Sequence, residues 1–242
     1  MSTIAVDGKY TFEEVLPGSV EISVESDPLC WAETRHNVAV TQDHANVPTF
    51  EHTGYVLRVH STHEVEVEYS SKSSQGVMSV PAGASQQCVP AAELYTLTPR
   101  GCHRFQPEQA HADTSTLVPT TVYFVATAHS VVIKVTSPDP VEDLLLHVST
   151  DGHASKDVGP LVPLQQPGGG YGFEHTLYMA DGEVAVVSAS SSSLLMSPSA
   201  PQQVVGRARC QPHALTVRAR TALTAQGKIV PPVGDVTVTL TS

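Results

Sequence analysis

The sequence is short of several things, and each shortage closes a class of function. Of its 242 residues only 5% are aromatic: one Trp, five Phe and seven Tyr. A core must therefore come from aliphatic and β-branched side chains. Basic residues are also few, thirteen against twenty-four acidic ones, for a formal charge of −11. Such a chain repels phosphate backbones, which argues against nucleic acid as a partner. No apolar run approaches the ~18 residues of a membrane-spanning helix, so membrane insertion is not expected. The opening Met1-Ser2-Thr3-Ile4-Ala5-Val6-Asp7 lacks the basic end and apolar stretch of a secretory leader. The four cysteines, Cys30, Cys88, Cys102 and Cys210, form no Cys-x-x-Cys pair, which disfavours a zinc knuckle. Together these features predict a soluble, cytoplasmic protein with reduced thiols.

Catalytic signatures are missing too. There is no Gly-x-Ser-x-Gly elbow, no His-x-His and no His-Glu-x-x-His. Cys102 and His103 are neighbours, and neighbours on a strand point to opposite faces, so they are no ready dyad. Asp139, Glu142 and Asp143 read as a solvated loop. Gly168-Gly169-Gly170 reads as a loop without the helix a phosphate cradle needs. No catalytic residue, no metal and no cofactor is expected.

What is present is strand. In Glu64-Val65-Glu66-Val67-Glu68-Tyr69, Val65, Val67 and Tyr69 face one side and three carboxylates the other. Similar runs occur at residues 20–24, 131–135, 183–187 and 236–240. Val141–His147 fits either one turn of helix or a buried strand. Eighteen Pro and sixteen Gly punctuate these runs closely, which favours a sandwich or barrel over an α/β fold.

The chain also echoes itself. Phe50-Glu51-His52-Thr53 recurs as Phe173-Glu174-His175-Thr176, and Glu64–Val67 is answered by Glu183–Val186. The serine turn Ser70–Ser74 is answered by Ser190–Ser193, and Ser19–Pro28 by Ser130–Pro140. The offsets, 111 to 123 residues, are close to half the chain. We therefore expect an all-β protein of two tandem antiparallel jelly-roll or β-sandwich units, residues 1–120 and 121–242, born of an internal duplication.

The stretch Phe173–Val184 resembles the first cupin motif, and Pro81-Ala82-Gly83-Ala84-Ser85-Gln86 is similar to the second, with a counterpart at Pro198–Gln203. The resemblance implies a degenerate bicupin, two jelly-roll barrels in tandem. A cupin binds its divalent metal through histidines and a glutamate. Here Gln86 and Gln203 stand where the second motif has His, and His52 and His175 where the first has Glu. The resemblance thus implies a lost metal centre, with His52/Gln86 or His175/Gln203 left to hydrogen-bond a small polar ligand in a barrel mouth. A separate phrase, Tyr55–Val59, resembles the last strands of C2-like sandwiches of the calpain-associated type.

Charge supplies the other candidate surface. Residues 1–70 carry three basic and twelve acidic side chains, residues 200–242 five and one. Arg207 and Arg209, like Arg218 and Arg220, are spaced i,i+2. On strands joined through Gln211-Pro212, all four would share a sheet face, opposite in sign to the stripe Glu64, Glu66 and Glu68. The expected function is a non-catalytic interaction module or structural subunit, with protein partners, self-association or a multi-subunit complex as its means of action. The alternative is a cupin-type metal enzyme (isomerase, hydrolase or dioxygenase) or a small-ligand binder.

Overall fold

A computed structural model describes residues 2–25, 27–41, 47–116, 118–138, 140–150, 155–197, 200–216, 218–221 and 239. The described residues hold twenty strands and no helix, so the chain is all-β. No helix among them is long and apolar enough to cross a membrane. The expected strand over 236–240 lies outside the described residues, apart from Thr239. Val141–His147 resolves into a turn at 142–143 followed by a strand.

The chain divides into two compact units, Met1–Ala128 and His129–Ser242. The first begins with β1 (Gly18–Ser23), β2 (Leu29–Trp31) and β3 (Arg35–Val40), of which β1 and β3 pair antiparallel. Two facing sheets follow. One is built on β4 (His52–Ser61), which pairs antiparallel with β7 (Gly83–Val89) and β2 and parallel with the start of β11 (Thr121–Ser137). β9 (His103–Gln106) also pairs with β11. The other runs β10-β8-β5-β6, where β5 is Val65–Ser70, β6 Gln75–Val80, β8 Leu94–Arg100 and β10 Ala110–Asp113. The acidic run behaves as its period predicts: Val65 and Val67 are buried while Glu66 and Glu68 are exposed.

Inner faces of both sheets fill one core. Leu57, Val59 and Phe124 come from the first sheet, Val65, Val67, Tyr95 and Leu97 from the second. This is a β-sandwich. Tyr95 is fully buried, and its hydroxyl donates to the Ala91 carbonyl at 3.1 Å and accepts from the Ala91 amide at 3.2 Å. A buried phenol needs such partners, because an unpaired hydroxyl in this core is costly.

The second unit starts within β11, from His129 onward. This half of β11 pairs antiparallel with β15 (Tyr171–Met179) and parallel with β19 (Gln211–Thr216), and β14 (Leu164–Gln165) flanks β15. The other sheet runs β13-β12-β16-β18, with β12 Leu145–Thr150, β13 Lys156–Val158, β16 Val184–Ser190 and β18 Gln202–Val205. β17 (Leu194–Ser197) pairs with β20 (Arg218–Thr221). Val131, Ile133, Phe173, Leu146, Val148, Ala185 and Val187 form its core. The glycine run at 168–170 closes the β14–β15 hairpin, with the Gln166 amide donating to Gly170 O at 3.0 Å.

The same wiring occurs in both units. A first strand (β4, or β11 from His129) pairs antiparallel with a fourth (β7, β15) and parallel with a last one (β11 to Ala128, β19). A second strand (β5, β12) sits between a third (β6, β13) and a fifth (β8, β16), and a sixth (β10, β18) closes the sheet. This correspondence corrects the sequence echoes. Phe50–Thr53 leads into a first strand, whereas Phe173–Thr176 lies in a fourth. Glu64–Val67 leads a second strand and Glu183–Val186 a fifth. Equivalent strands begin 77 residues apart at the first pair (52 and 129) and 90 at the fifth (94 and 184), not 111 to 123.

Candidate interaction surfaces

The four residues that the cupin resemblance placed around a ligand are not brought together as pairs. His52 opens β4 opposite Trp31, while Gln86 on β7 is opposite Arg58, six residues further along β4. At ~3.4 Å per residue that is roughly 20 Å of strand. His52 packs its ring against Trp31 and Tyr55, with centroids 5.8 and 4.9 Å away. His175 lies on β15 opposite Ile133, whereas Gln203 is exposed on β18 in the other sheet. Burial, with the nearby Lys156 charge adding to it, lowers the pKa of His175.

The acidic stripe is partly neutralised. Glu66 and Glu68 project from β5, and Arg100 of β8 reaches Glu68 with Nε and Nη2, both at 2.8 Å. That pairing raises the Arg100 pKa. The strand setting expected for Arg207 and Arg209 is not met. Arg207 and Arg209 lie in the loop between β18 and β19, not on a strand, and Arg218–Thr221 pairs with β17 while β19 pairs with β11.

That loop nevertheless builds a defined feature. Gly182 N–H donates to Gly206 O at 3.0 Å, Gly206 N–H to Glu183 O at 2.8 Å, and Ala208 N–H to Asp181 Oδ1 at 3.1 Å. A side chain at 206 would place its Cβ 2.1 Å from Ala180 O, so only glycine lets the loop close this tightly. The loop borders a cavity of about 540 Å³ lined by Gln203, Arg207, Arg209, Gln211 and His213 among others.

Two further clusters carry no motif in the sequence. On the outer face of the second unit, His147 Nδ1 meets Asp157 Oδ1 at 2.5 Å and His147 Nε2 meets Ser190 Oγ at 2.5 Å. The order serine, imidazole, carboxylate is that of a hydrolytic triad. Its setting is different: the three residues stand on regular neighbouring strands, β16, β12 and β13. The cluster works as a polar staple across three strands. The second cluster is a carboxylate held by a serine turn. Asp143 accepts from Ser191 Oγ at 2.5 Å and from the Ser192 and Ser193 amides at 2.7 and 3.1 Å, which holds its pKa well below the usual carboxylate range.

The thiols also depart from expectation. Cys30 of β2 and Cys88 of β7 form a disulfide across the two flanks of β4, and no described cysteine is free. The reduced-thiol reading is therefore corrected, and with it the basis for calling the protein cytoplasmic. A spacing of 58 residues gives no hint of this pairing in the sequence.

With this geometry in view, comparison with known proteins replaces the cupin reading. Phe173–Val184, the stretch likened to the first cupin motif, covers most of β15 and the start of β16, which lie in different sheets of a sandwich. Two solved structures are distantly similar. The minor pilin GBS52 of Streptococcus agalactiae is 9% identical, with a TM-score of 0.29 over 72% of this chain and 99% of that one. The Bacillus anthracis TIE protein is 7% identical, with a TM-score of 0.26 over 76% and 37%. A family model, the NOMO Ig-like domain, matches residues 56–128, which is the sandwich of the first unit from β4 onward. Over 96% of its length the chain is 24% identical to BOS complex subunit NOMO3 of Homo sapiens, covering 22% of that protein. It is likewise 24% identical to BOS complex subunit NOMO1 of Mus musculus, covering 23%. The chain thus spans about a fifth of the length of these curated relatives, and is similar to them rather than to cupins.

Proposed function

We propose that this chain is a pair of Ig-like sandwiches acting as a non-catalytic, structural and interaction segment of a subunit in a multi-protein complex of the BOS type. The observation that carries this reading is similarity along 96% of the chain to subunits named for that complex. The match of a NOMO Ig-like domain to residues 56–128 supports it. The shared wiring of the two units favours a tandem duplication with a unit of roughly 80–90 residues, of which β1 to β3 form a leading extension. The Cys30–Cys88 disulfide favours an oxidising compartment for this segment.

In-cell cross-linking with a lysine-reactive reagent tests this. Lys72 and Lys156, exposed on the first and second units, should give cross-links to other subunits of one stoichiometric complex. Cross-links confined to this chain would reject the reading. Alkylation before lysis should leave Cys88 unmodified if the compartment is oxidising. Quantitative alkylation of Cys88 would place the segment among reduced thiols instead.

A further inference from the structure

We propose that the cavity beside β18 and β19 in the second unit is a docking site for the carboxylates of an acidic peptide segment on a protein partner. This rests on the reading of the chain as an interaction segment and names the chemistry its partner would bring. Three observations carry it. First, Arg207 and Arg209 both line the cavity, and no carboxylate among the described residues pairs with either guanidinium. Arg35, Arg58 and Arg100 each have one, which leaves this loop as a place where fork-shaped donors stand ready.

Second, His213 lines the same cavity, and its Nε2 is buried with no hydrogen-bond partner. A buried ring nitrogen left unpaired is costly, and an incoming carboxylate would satisfy it. Third, the loop is preorganised. The Asp181 carboxylate accepts the Ala208 amide, and Gly182 and Gly206 lock the two turns together, so little ordering is left for binding. The loop stretch from Gly206 to Cys210 carries two arginines and no carboxylate of its own in a chain of −11.

The occupant follows from size and shape. About 540 Å³ is far more than a single tetrahedral anion fills. Gln203 adds a further side-chain amide to the lining, and among the described residues β18 is the last strand of its sheet, with one flank carrying no ladder. An extended segment bearing more than one carboxylate uses all of these at once.

The test is titration of the full chain with an acetylated, amidated hexaglutamate peptide carrying a fluorophore, read by anisotropy. The peptide should bind, and binding should weaken steeply as salt rises from low to physiological ionic strength. Arg207→Gln combined with Arg209→Gln should weaken it about tenfold or more, whereas Arg35→Gln should not. Arg207→Lys with Arg209→Lys keeps the charge and the fold but loses the fork, and should fall between. Inorganic phosphate should displace the peptide only at far higher concentration. No binding at low salt, equal binding by the Gln variant, or equal competition by phosphate would each overturn the proposal. Absence of peptide binding together with intact subunit cross-links defeats the site alone. Peptide binding with no cross-links defeats the complex and leaves the site.

Discussion

The two units share a wiring diagram but solve their cores differently. At equivalent places on the fifth strand the first unit has Tyr95 and Leu97, the second Ala185 and Val187. Aromatic volume in the first unit comes from Tyr95, Phe105 and Phe124, in the second from Phe173 on the fourth strand. Each unit also fixes a serine turn with a carboxylate, but at different corners. In the first, Glu93 before β8 accepts the Ser73 amide at 3.1 Å, in a turn that follows β5. In the second, Asp143 before β12 holds the turn that follows β16. β5 pairs with β8, and β12 with β16, both antiparallel, so the end of either strand lies beside the start of its partner. The lesson is that backbone pairing sets where a clamp can form, while side chains choose which corner receives it.

Several changes would break or sharpen this comparison. The largest effect is expected from Tyr95→Ala, which empties the first core and strands the Ala91 backbone, at a cost of about 3–5 kcal/mol. Urea unfolding should report it, and hydrogen exchange should show lost protection in β5 and β8. The cores share no residue, so β12 and β16 should keep theirs. Loss in both units would mean they unfold as one.

Next comes the combined Cys30→Ser and Cys88→Ser variant. The bond closes 58 residues of the first unit, and its removal should cost about 2–4 kcal/mol, seen as a lower Tm.

A smaller effect follows from His147→Ala, which deletes both hydrogen bonds of the second unit's staple. A fluorophosphonate probe should leave Ser190 unlabelled in the parent chain. Labelling at Ser190 would turn the staple into a working nucleophile.

The smallest effect is electrostatic. Hydrogen bonds from the serine turns depress the pKa of Asp143, and more weakly that of Glu93. A carboxylate whose folded pKa lies below its unfolded value contributes stability at pH above the unfolded value. That contribution fades as pH falls through the folded one. Carbon-detected NMR titration should therefore find Asp143 still ionised below 3.8, its ordinary value, and Asp143→Asn should remove that acid-range dependence.

Local structure was legible in the residues, and long-range structure was not. Glu64–Tyr69 announced β5 because period two with one buried face has a single solution. The repeat length was misread because alternating Ser, Val and Glu recur on any half-buried strand, so Phe50–Thr53 and Phe173–Thr176 match without being equivalent. True equivalents such as Val65 and Leu146 share burial but not identity. Arg207 and Arg209 were found by charge, but their strand setting was wrong, since Gly206 and Asp181 bend that stretch into a loop. His147, Asp157 and Ser190 gave no signal, because register alone joins residues 10 and 43 apart.

On the proposed reading, this chain acts through other proteins and not through chemistry of its own. Native mass spectrometry of the endogenous full-length protein, gently purified through a tag, tests it most directly. A single assembly of fixed stoichiometry with other subunits is expected. A lone protein that carries a stoichiometric transition metal or turns over an ester substrate would contradict it.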